Sequence, residues 1–149
     1  MTTLKQGDSA PQFSGLDQDG QPVSLKDYTG KKLVLYFYPK DDTPGCTAEA
    51  CSLRDNYEQL QKAGYDVLGV STDPVKSHKK FIDKYTLPFR LLSDTEKTVS
   101  ESFGVFGLKK FMGKEYMGIS RTTFLIDEKG IITEVISKVD TKKHAEQIL

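Results

Sequence analysis

The chain lacks the features that mark several classes of protein. No apolar run is long enough to span a bilayer, so a membrane protein is not expected. The 149 residues carry 21 basic and 21 acidic side chains, and the formal net charge is +0. There is therefore no surplus charge with which to bind nucleic acid or an anionic membrane. Residues 1–13 contain no apolar segment of the kind found in signal peptides, and we expect a cytoplasmic protein.

Cysteine and histidine are equally scarce, with two of each. In a reducing compartment, two cysteines close together in sequence are more often catalytic or metal-binding than structural. A zinc site needs more ligands than two thiolates, and His78 and His144 are both far from the cysteines in sequence. We therefore expect no metal and no other cofactor.

The most informative stretch passes from an apolar strand into a helix. The segment 33–38 is almost entirely β-branched, aromatic or aliphatic, which predicts a strand buried on both faces. Pro39 cannot donate to a sheet and ends that strand. Thr43 is a candidate helix N-cap, and Pro44 suits the first helical turn. Cys46 then falls in the first turn, where the helix dipole stabilises a thiolate.

Three other interpretations of the two cysteines have to be weighed at this point. A free cysteine is often only a small buried hydrophobic residue. A thioredoxin-like disulfide reductase would carry Cys-x-x-Cys, whereas four residues separate Cys46 from Cys51. A redox sensor could use the cysteine pair as a switch without turnover. A papain-like cysteine–histidine pair is not expected, because no histidine lies near the motif in sequence.

The rest of the chain predicts one domain, residues 1–149, of the α/β class with a mixed sheet. An N-terminal β-hairpin is predicted around Asp19-Gly20. The cysteine helix is predicted from Pro44 to Ala63, closed by Gly64. The remaining predicted elements are strands at 66–71, 88–92, 122–127 and 131–137 and helices at 74–84, 96–103 and 141–149.

The segment Val105–Gly118 is predicted to be a loop. It holds three glycines, with aromatic residues and methionines between them. These apolar side chains either pack the loop onto the surface or gate a substrate site.

The residues around Cys46 resemble a known family. Pro39, Thr43 and Cys46 match the Pro-x-x-x-Thr-x-x-Cys signature of the peroxiredoxins. The longer string YPKDDTPGCTAEACSLRD is similar to the bacterioferritin-comigratory, or Q-type, subfamily, and so are GVSTD, LLSD, FGV, FMGKEYMGI and SRTTFLID. The resemblance implies a thioredoxin-like fold and the thiol-dependent reduction of hydrogen peroxide and organic hydroperoxides.

The resemblance also implies roles for both cysteines. Cys46 is expected to be the peroxidatic thiolate, which peroxide oxidises to a sulfenic acid. Cys51 is expected to resolve it as an intramolecular disulfide, with thioredoxin or a similar dithiol as the reductant. The alternative is that Cys51 is inert and an external thiol resolves Cys46. Nothing in the sequence marks a dimer interface, so a monomer is expected.

Four further residues are candidates for the site. Pro39 either shields the sulfur or only ends a strand. Thr43 either directs its hydroxyl at the sulfur or the peroxide, or only caps the helix. Each of the three arginines could be a surface charge, but the resemblance assigns the active-site role to Arg121, just before the T-F-L-I-D strand. Glu49, one turn after Cys46, either orients that arginine or is an exposed helix acid.

Overall fold

The computed structural model describes residues 2–149. These residues form a central mixed sheet flanked by helices, together with a separate two-stranded hairpin. The strands are β1 Ser14–Leu16, β2 Pro22–Ser24, β3 Lys32–Phe37, β4 Tyr65–Ser71, β5 Arg90–Ser93, β6 Phe106–Phe111, β7 Lys114–Ile119, β8 Thr122–Ile126 and β9 Ile132–Ile136. The helices are α1 Pro44–Asp55, α2 Tyr57–Lys62, α3 Val75–Tyr85, α4 Thr98–Ser102 and α5 His144–Ile148, with a 3₁₀ turn at Leu25–Tyr28.

The seven-stranded sheet has the order β2-β1-β5-β4-β3-β8-β9. Strands β3, β4 and β5 run parallel to one another, while β8 and β9 pair antiparallel beyond β3. The hairpin β1–β2 joins the opposite edge through a short antiparallel contact with β5. The predicted α/β class, mixed sheet and N-terminal hairpin are therefore confirmed.

Strand β3 lies at the centre of the sheet and is buried on both faces, as its composition predicts. Its alternate side chains enter two different cores. Leu33, Leu35 and Phe37 belong to the core shared with α4. Val34 and Tyr36 belong to the core on which α1, α2, α3 and α5 pack. Residues that follow β3 are thus delivered to the face covered by α1.

The predicted cysteine helix is interrupted, and this prediction was wrong in part. Helix α1 ends at Asp55 and α2 begins at Tyr57. Asn56 between them has φ −115° and ψ 14°, and its side-chain amide donates to the Ser52 carbonyl at 2.8 Å. An asparagine side chain that binds a carbonyl of the preceding turn competes with the helical hydrogen bond there.

The prediction of a loop at 105–118 was also wrong. These residues form the hairpin β6–β7, whose turn residues Met112 and Gly113 have φ values of 52° and 79°. Two positive φ values suit a two-residue hairpin turn, but methionine is not a residue that signals one. Exposed apolar side chains cover much of the hairpin, namely Leu108, Phe111, Met112, Tyr116 and Met117.

Two other helices are shorter than predicted. Helix α4 begins only at Thr98, because Lys97 adopts a left-handed conformation with φ 65°. Helix α5 begins at His144 rather than at Thr141. Within residues 2–149, none of the helices combines the length and the hydropathy needed to cross a membrane.

Candidate active site

Cys46 lies where the central strand passes into α1. It is the third residue of that helix, and its side chain is 1% exposed. Cys51 lies on the same helix, is only partly buried, and both cysteines are free thiols. Cys46 therefore lies in the first turn of α1, where the free backbone N–H groups carry a partial positive charge.

The turn before Cys46 is held in place by the hydrogen bonds of a buried aspartate, Asp41. Asp41 accepts a hydrogen bond from the Tyr38 hydroxyl at 2.6 Å and one from the Ser77 hydroxyl at 2.7 Å. His78 Nδ1 lies 2.7 Å from the same carboxylate. The backbone N–H of Asp41 donates to Asp73 at 2.8 Å. These bonds tie the turn to α3 and to the end of β4.

The same cluster has the donor atoms of a metal site, since atoms of Asp41, Asp73 and His78 lie within 4.8 Å of one another. However, these atoms also make the hydrogen bonds that hold the turn. Binding a metal ion here would break these hydrogen bonds. We therefore interpret the cluster as a support for the turn that precedes Cys46.

Thr43 is the residue that precedes α1, as predicted, but its side chain does not cap the helix. Its hydroxyl donates to the Lys40 carbonyl at 2.8 Å. The expectation that this hydroxyl points at the sulfur is therefore not met in this structure. The backbone carbonyl of Thr43 instead accepts the first helical bond, from the Thr47 N–H at 2.8 Å.

Arg121 is the cation beside the sulfur. Its Nη2 lies 3.4 Å from Cys46 Sγ, and its Nη1 donates to Glu49 Oε1 at 2.7 Å. Gly45 leaves room for this approach, because a β-carbon there would lie 3.0 Å from Arg121 Nη2. Burial lowers the pKa of Arg121, but Glu49 and Cys46 outweigh it and raise the pKa overall. The guanidinium thus stays charged.

Glu49 is not an exposed helix acid, since its side chain has no exposed surface. It occupies the core-facing side of α1, one turn after Cys46. Burial raises the pKa of Glu49 to about 7, although Arg121 opposes the shift. A carboxyl group with such a pKa changes its charge near neutral pH, directly behind the arginine.

A histidine completes this buried group, which the sequence did not indicate. His144 Nε2 lies 3.4 Å from Glu49 Oε2 and 2.7 Å from the Thr123 hydroxyl oxygen. Burial lowers the pKa of His144. His144 is distant from the motif in sequence but close to Glu49 in space, and it contacts Glu49 and Thr123 rather than the Cys46 sulfur. Positions 49 and 144 are far apart in sequence, and no local pattern links them.

Tyr36 places a buried hydroxyl in the same region. Within residues 2–149, this hydroxyl makes no hydrogen bond. Burial raises the pKa of Tyr36 well above 10, and the charges of Glu49 and Cys46 add to the shift. The ring is held by close packing on Gly69, where a β-carbon would come within 2.8 Å of Tyr36 Cζ. Tyr36 therefore stays protonated near the site.

The β6–β7 hairpin borders the site on the side of Pro39. A groove of about 520 Å³ is lined by Pro39, Lys109, Tyr116 and Met117, among others. Lys109 donates to the Ile119 carbonyl at 2.8 Å. Burial lowers the pKa of Lys109, and the charge of Arg121 lowers it further. The hairpin thus brings apolar side chains and a second cation toward the arginine.

The arrangement has the parts required for nucleophilic thiol chemistry. A helix N-terminus and a guanidinium stabilise a thiolate, and the guanidinium can also polarise an approaching oxygen. These groups are fixed before a substrate arrives, because the turn, the arginine and the glutamate are all held by buried hydrogen bonds.

Comparison with known proteins agrees with this chemistry. The model of the AhpC/TSA family matches residues 6–135. The chain therefore belongs to the AhpC/TSA family. It is 52% identical to peroxiredoxin Bcp of Escherichia coli strain K12 over 149 residues, which cover 100% of this chain and 96% of that protein. The resemblance to the bacterioferritin-comigratory peroxiredoxins is confirmed, and the chain is a thiol-dependent peroxidase.

Solved structures confirm the thioredoxin-like fold. A cysteine-to-serine mutant of PrxQ from Xylella fastidiosa superposes with a TM-score of 0.92 at 34% identity, covering 99% of this chain and 94% of that one. The bacterioferritin comigratory protein of Xanthomonas campestris gives a TM-score of 0.87 at 34% identity, with the same coverage of 99% and 94%. That Xanthomonas protein has alkyl peroxide reduction activity, and its structure belongs to a set of trapped intermediate and ligand complexes.

Proposed function

We propose that Cys46 is the peroxidatic residue and that Arg121 activates both the thiolate and the peroxide. The contact of Arg121 Nη2 with Cys46 Sγ at 3.4 Å is the observation that carries this assignment. The thiolate attacks one oxygen of a hydroperoxide, an S–O bond forms and the O–O bond breaks. The leaving alkoxide takes up a proton to give an alcohol, or water if the substrate is hydrogen peroxide, and Cys46 becomes a sulfenic acid.

Cys51 is the proposed resolving residue. Its thiol attacks the sulfenic acid of Cys46, a disulfide forms and water leaves. An external dithiol then exchanges with this disulfide and regenerates both thiols. The sequence contains no third cysteine, which supports Cys51 for an intramolecular route. The alternative is direct resolution of Cys46 by an external thiol, which would leave turnover intact in a variant without Cys51.

We propose supporting roles for three further residues. Glu49 is the proposed orienting group for Arg121, because one of its oxygens accepts the Nη1 donor. Pro39 is proposed to shield the sulfur at the end of β3 and to form the wall of the adjacent groove. Thr43, whose hydroxyl binds the Lys40 carbonyl here, is proposed to meet the peroxide only if that hydroxyl rotates.

Hydroperoxides are the substrates of this family, and a thiol reductant recycles the enzyme. We propose hydrogen peroxide and organic hydroperoxides as substrates, because apolar side chains line part of the groove beside Pro39, together with three lysines, and the Xanthomonas relative reduces alkyl peroxides. Thioredoxin or a similar dithiol protein is the proposed reductant. We also propose that the chain works as one domain and as a monomer in the cytoplasm.

A turnover assay tests the assignment. The purified protein is mixed with excess hydroperoxide and a dithiol reductant, and peroxide consumption is followed over many equivalents. Sustained consumption is expected for the native chain and none for Cys46→Ser, since serine does not supply a thiolate-like nucleophile at neutral pH. Turnover by Cys46→Ser would remove the mechanism, and consumption of a single equivalent by the native chain would favour the redox sensor instead.

A further inference from the structure

We propose that His144 is a positioning residue that holds, together with Glu49, one exchangeable proton behind Arg121, and that this proton sets the charge which Arg121 presents to Cys46. The inference rests on the proposed function and deepens it, since it concerns how the same site is regulated.

The hydrogen bonds of Gln147 fix the tautomer of His144. Gln147 Oε1 accepts from the Asp140 N–H at 2.9 Å, and its Nε2 donates to the Lys138 carbonyl at 3.0 Å. The amide orientation is therefore set by two backbone groups. His144 Nδ1 lies 2.8 Å from Gln147 Oε1 and must donate to it. Burial lowers the pKa of His144 despite the opposing Asp140 carboxylate, so the ring is neutral and Nε2 carries a lone pair.

That lone pair faces a carboxylate oxygen. Nε2 lies 2.7 Å from the Thr123 hydroxyl and 3.4 Å from Glu49 Oε2. Among the described residues, no partner makes a hydrogen bond with Glu49 Oε2, although the atom is fully buried. A buried acceptor without a donor is costly. One proton between Glu49 Oε2 and His144 Nε2 removes this cost, because it converts two facing acceptors into a donor and an acceptor.

The other groups around Glu49 do not take this proton. Arg121 is on the opposite carboxylate oxygen and remains charged, since its pKa is raised overall by Glu49 and Cys46. The Tyr36 hydroxyl keeps its proton, because burial places its pKa well above 10. The pKa of Glu49 is raised by burial to about 7, so the pair with His144 gains and loses a proton near neutral pH.

The protonation state changes the electrostatics at the sulfur. When the proton is bound, Glu49 is neutral and the charge of Arg121 acts on the Cys46 thiolate and the leaving oxygen without compensation. When the proton is lost, the carboxylate offsets that charge. This contribution makes peroxide attack slower as the pH rises through about 7. Ionisation of the Cys46 thiol has the opposite effect, because it makes attack faster as the pH rises. For a buried charge at this distance we expect the rate of attack to change by about threefold or more.

The test compares the two histidines of the chain. The rate at which the reduced full-length protein reacts with hydrogen peroxide is measured from about pH 5.5 to about pH 8.5, the range in which histidines and perturbed carboxyls titrate. His144→Gln places an amide near the position of Nε2, where it can donate to Glu49 at every pH. We expect the inflection near neutrality to disappear. His78→Gln is the matched control, because His78 is also buried against a carboxylate, that of Asp41. We expect this substitution to leave the inflection in place.

A second variant changes the pair without removing it. Thr123→Val takes away the hydroxyl that competes for Nε2. The histidine then accepts the Glu49 proton more strongly, and the inflection moves to higher pH. A histidine role that is only structural predicts lower stability in both variants but no shift of the inflection.

Ring-nitrogen NMR of the native protein gives a readout that does not depend on activity. With only His78 and His144 in the chain, the two rings can be assigned from the single variants. We expect the Nε2 shift of His144 to titrate near pH 7, together with the rate. A pH-invariant Nε2 shift, or the same inflection in His144→Gln as in the native chain, overturns the inference. Neither result affects the proposed function, which fails only if Cys46→Ser turns over.

Discussion

Cys46 and Cys51 lie five residues apart on one helix but in different surroundings. Cys46 is almost fully buried, three residues into α1, with Arg121 at 3.4 Å from its sulfur. Cys51 is only partly buried and lies past the middle of α1. One helix therefore holds two thiols in different environments, which fits the peroxidatic and resolving roles proposed for Cys46 and Cys51.

Two causes give Cys46 and Cys51 different surroundings: their positions along α1, and the residues from other elements that contact α1. The first turn of α1 offers free N–H groups to Cys46, whereas Cys51 lies in the helix interior, where these groups are already bonded. Arg121 and His144 come from other elements: Arg121 contacts both Cys46 and Glu49, and His144 contacts Glu49. Position along the helix and position around it therefore both separate the two thiols.

The largest effect is expected from Cys51→Ser. This change leaves the surroundings of Cys46 intact, so the reduced variant still consumes about one equivalent of peroxide. Without a resolving thiol it then stalls, or its sulfenic acid is oxidised further. Peroxide consumption with thioredoxin as reductant, together with the mass of the oxidised protein, measures both outcomes. Full turnover of this variant means that an external thiol resolves Cys46 directly.

The next largest effect is expected from Arg121→Ala, compared with Arg54→Ala on the same helix as the cysteines. Arg54 binds Asp55 at 2.9 Å and the Tyr85 carbonyl at 2.7 Å. Loss of Arg121 removes the cation at the sulfur, and we expect peroxide attack to slow by about 10²-fold, as for other preorganised donors. Arg54→Ala should change the rate little. The rate of the first peroxide equivalent is the measurement, and equal rates in both variants would make Arg121 a structural residue only.

A moderate structural effect is expected on oxidation. Five residues apart on an intact helix, the two Cα atoms are roughly 8 Å apart and on different sides of the axis. A disulfide needs Cα atoms within about 7 Å, so α1 must open before the bond forms. We expect a small loss of helical circular dichroism and faster amide exchange from Cys46 to Asn56, with little change in β3 and β4. A Cys46–Cys51 disulfide with neither change would contradict this account.

The smallest effect is expected in the pH dependence of stability. Folding raises the pKa of Glu49 from 4.5 to about 7, which alone makes stability fall as pH rises across that interval. Folding lowers the pKa of His144 below 6.5, which alone makes stability fall as pH decreases below 6.5. Below pH 6.5 the two effects oppose each other, so the native chain should show a flatter profile than either group alone would give.

Glu49→Gln removes the contribution of Glu49 to the pH dependence of stability and leaves that of His144. Its stability should fall by up to about 1 kcal/mol per pH unit as the pH is lowered from about 7 to about 5. Urea unfolding at several pH values measures the slope. A slope equal to that of the native chain would show that folding does not raise the pKa of Glu49.

The features that could be predicted from the sequence are those determined by residues close together in the chain. The apolar run of β3, the proline that follows it and the position of Cys46 at a helix start all depend on neighbouring residues. Arg121 was assigned from resemblance, because no local pattern separates it from Arg54 or Arg90. The burial of Glu49 and its contact with His144 depend on α5 packing against α1, a long-range event without a periodic signature. The β6–β7 turn escaped prediction because Met112 adopts a conformation that methionine seldom takes.

The break at Asn56 limits how far a disturbance can spread. Helix α2 has its own attachments, since Leu60 is fully buried and the Tyr57 hydroxyl donates to Asp66 at 2.8 Å. Opening of α1 therefore ends at a boundary already present in the reduced protein, and the cooperative unit that melts is twelve residues long at most. On the proposed mechanism, each turnover would unfold and refold only this short segment, while the sheet and the remaining helices stay folded.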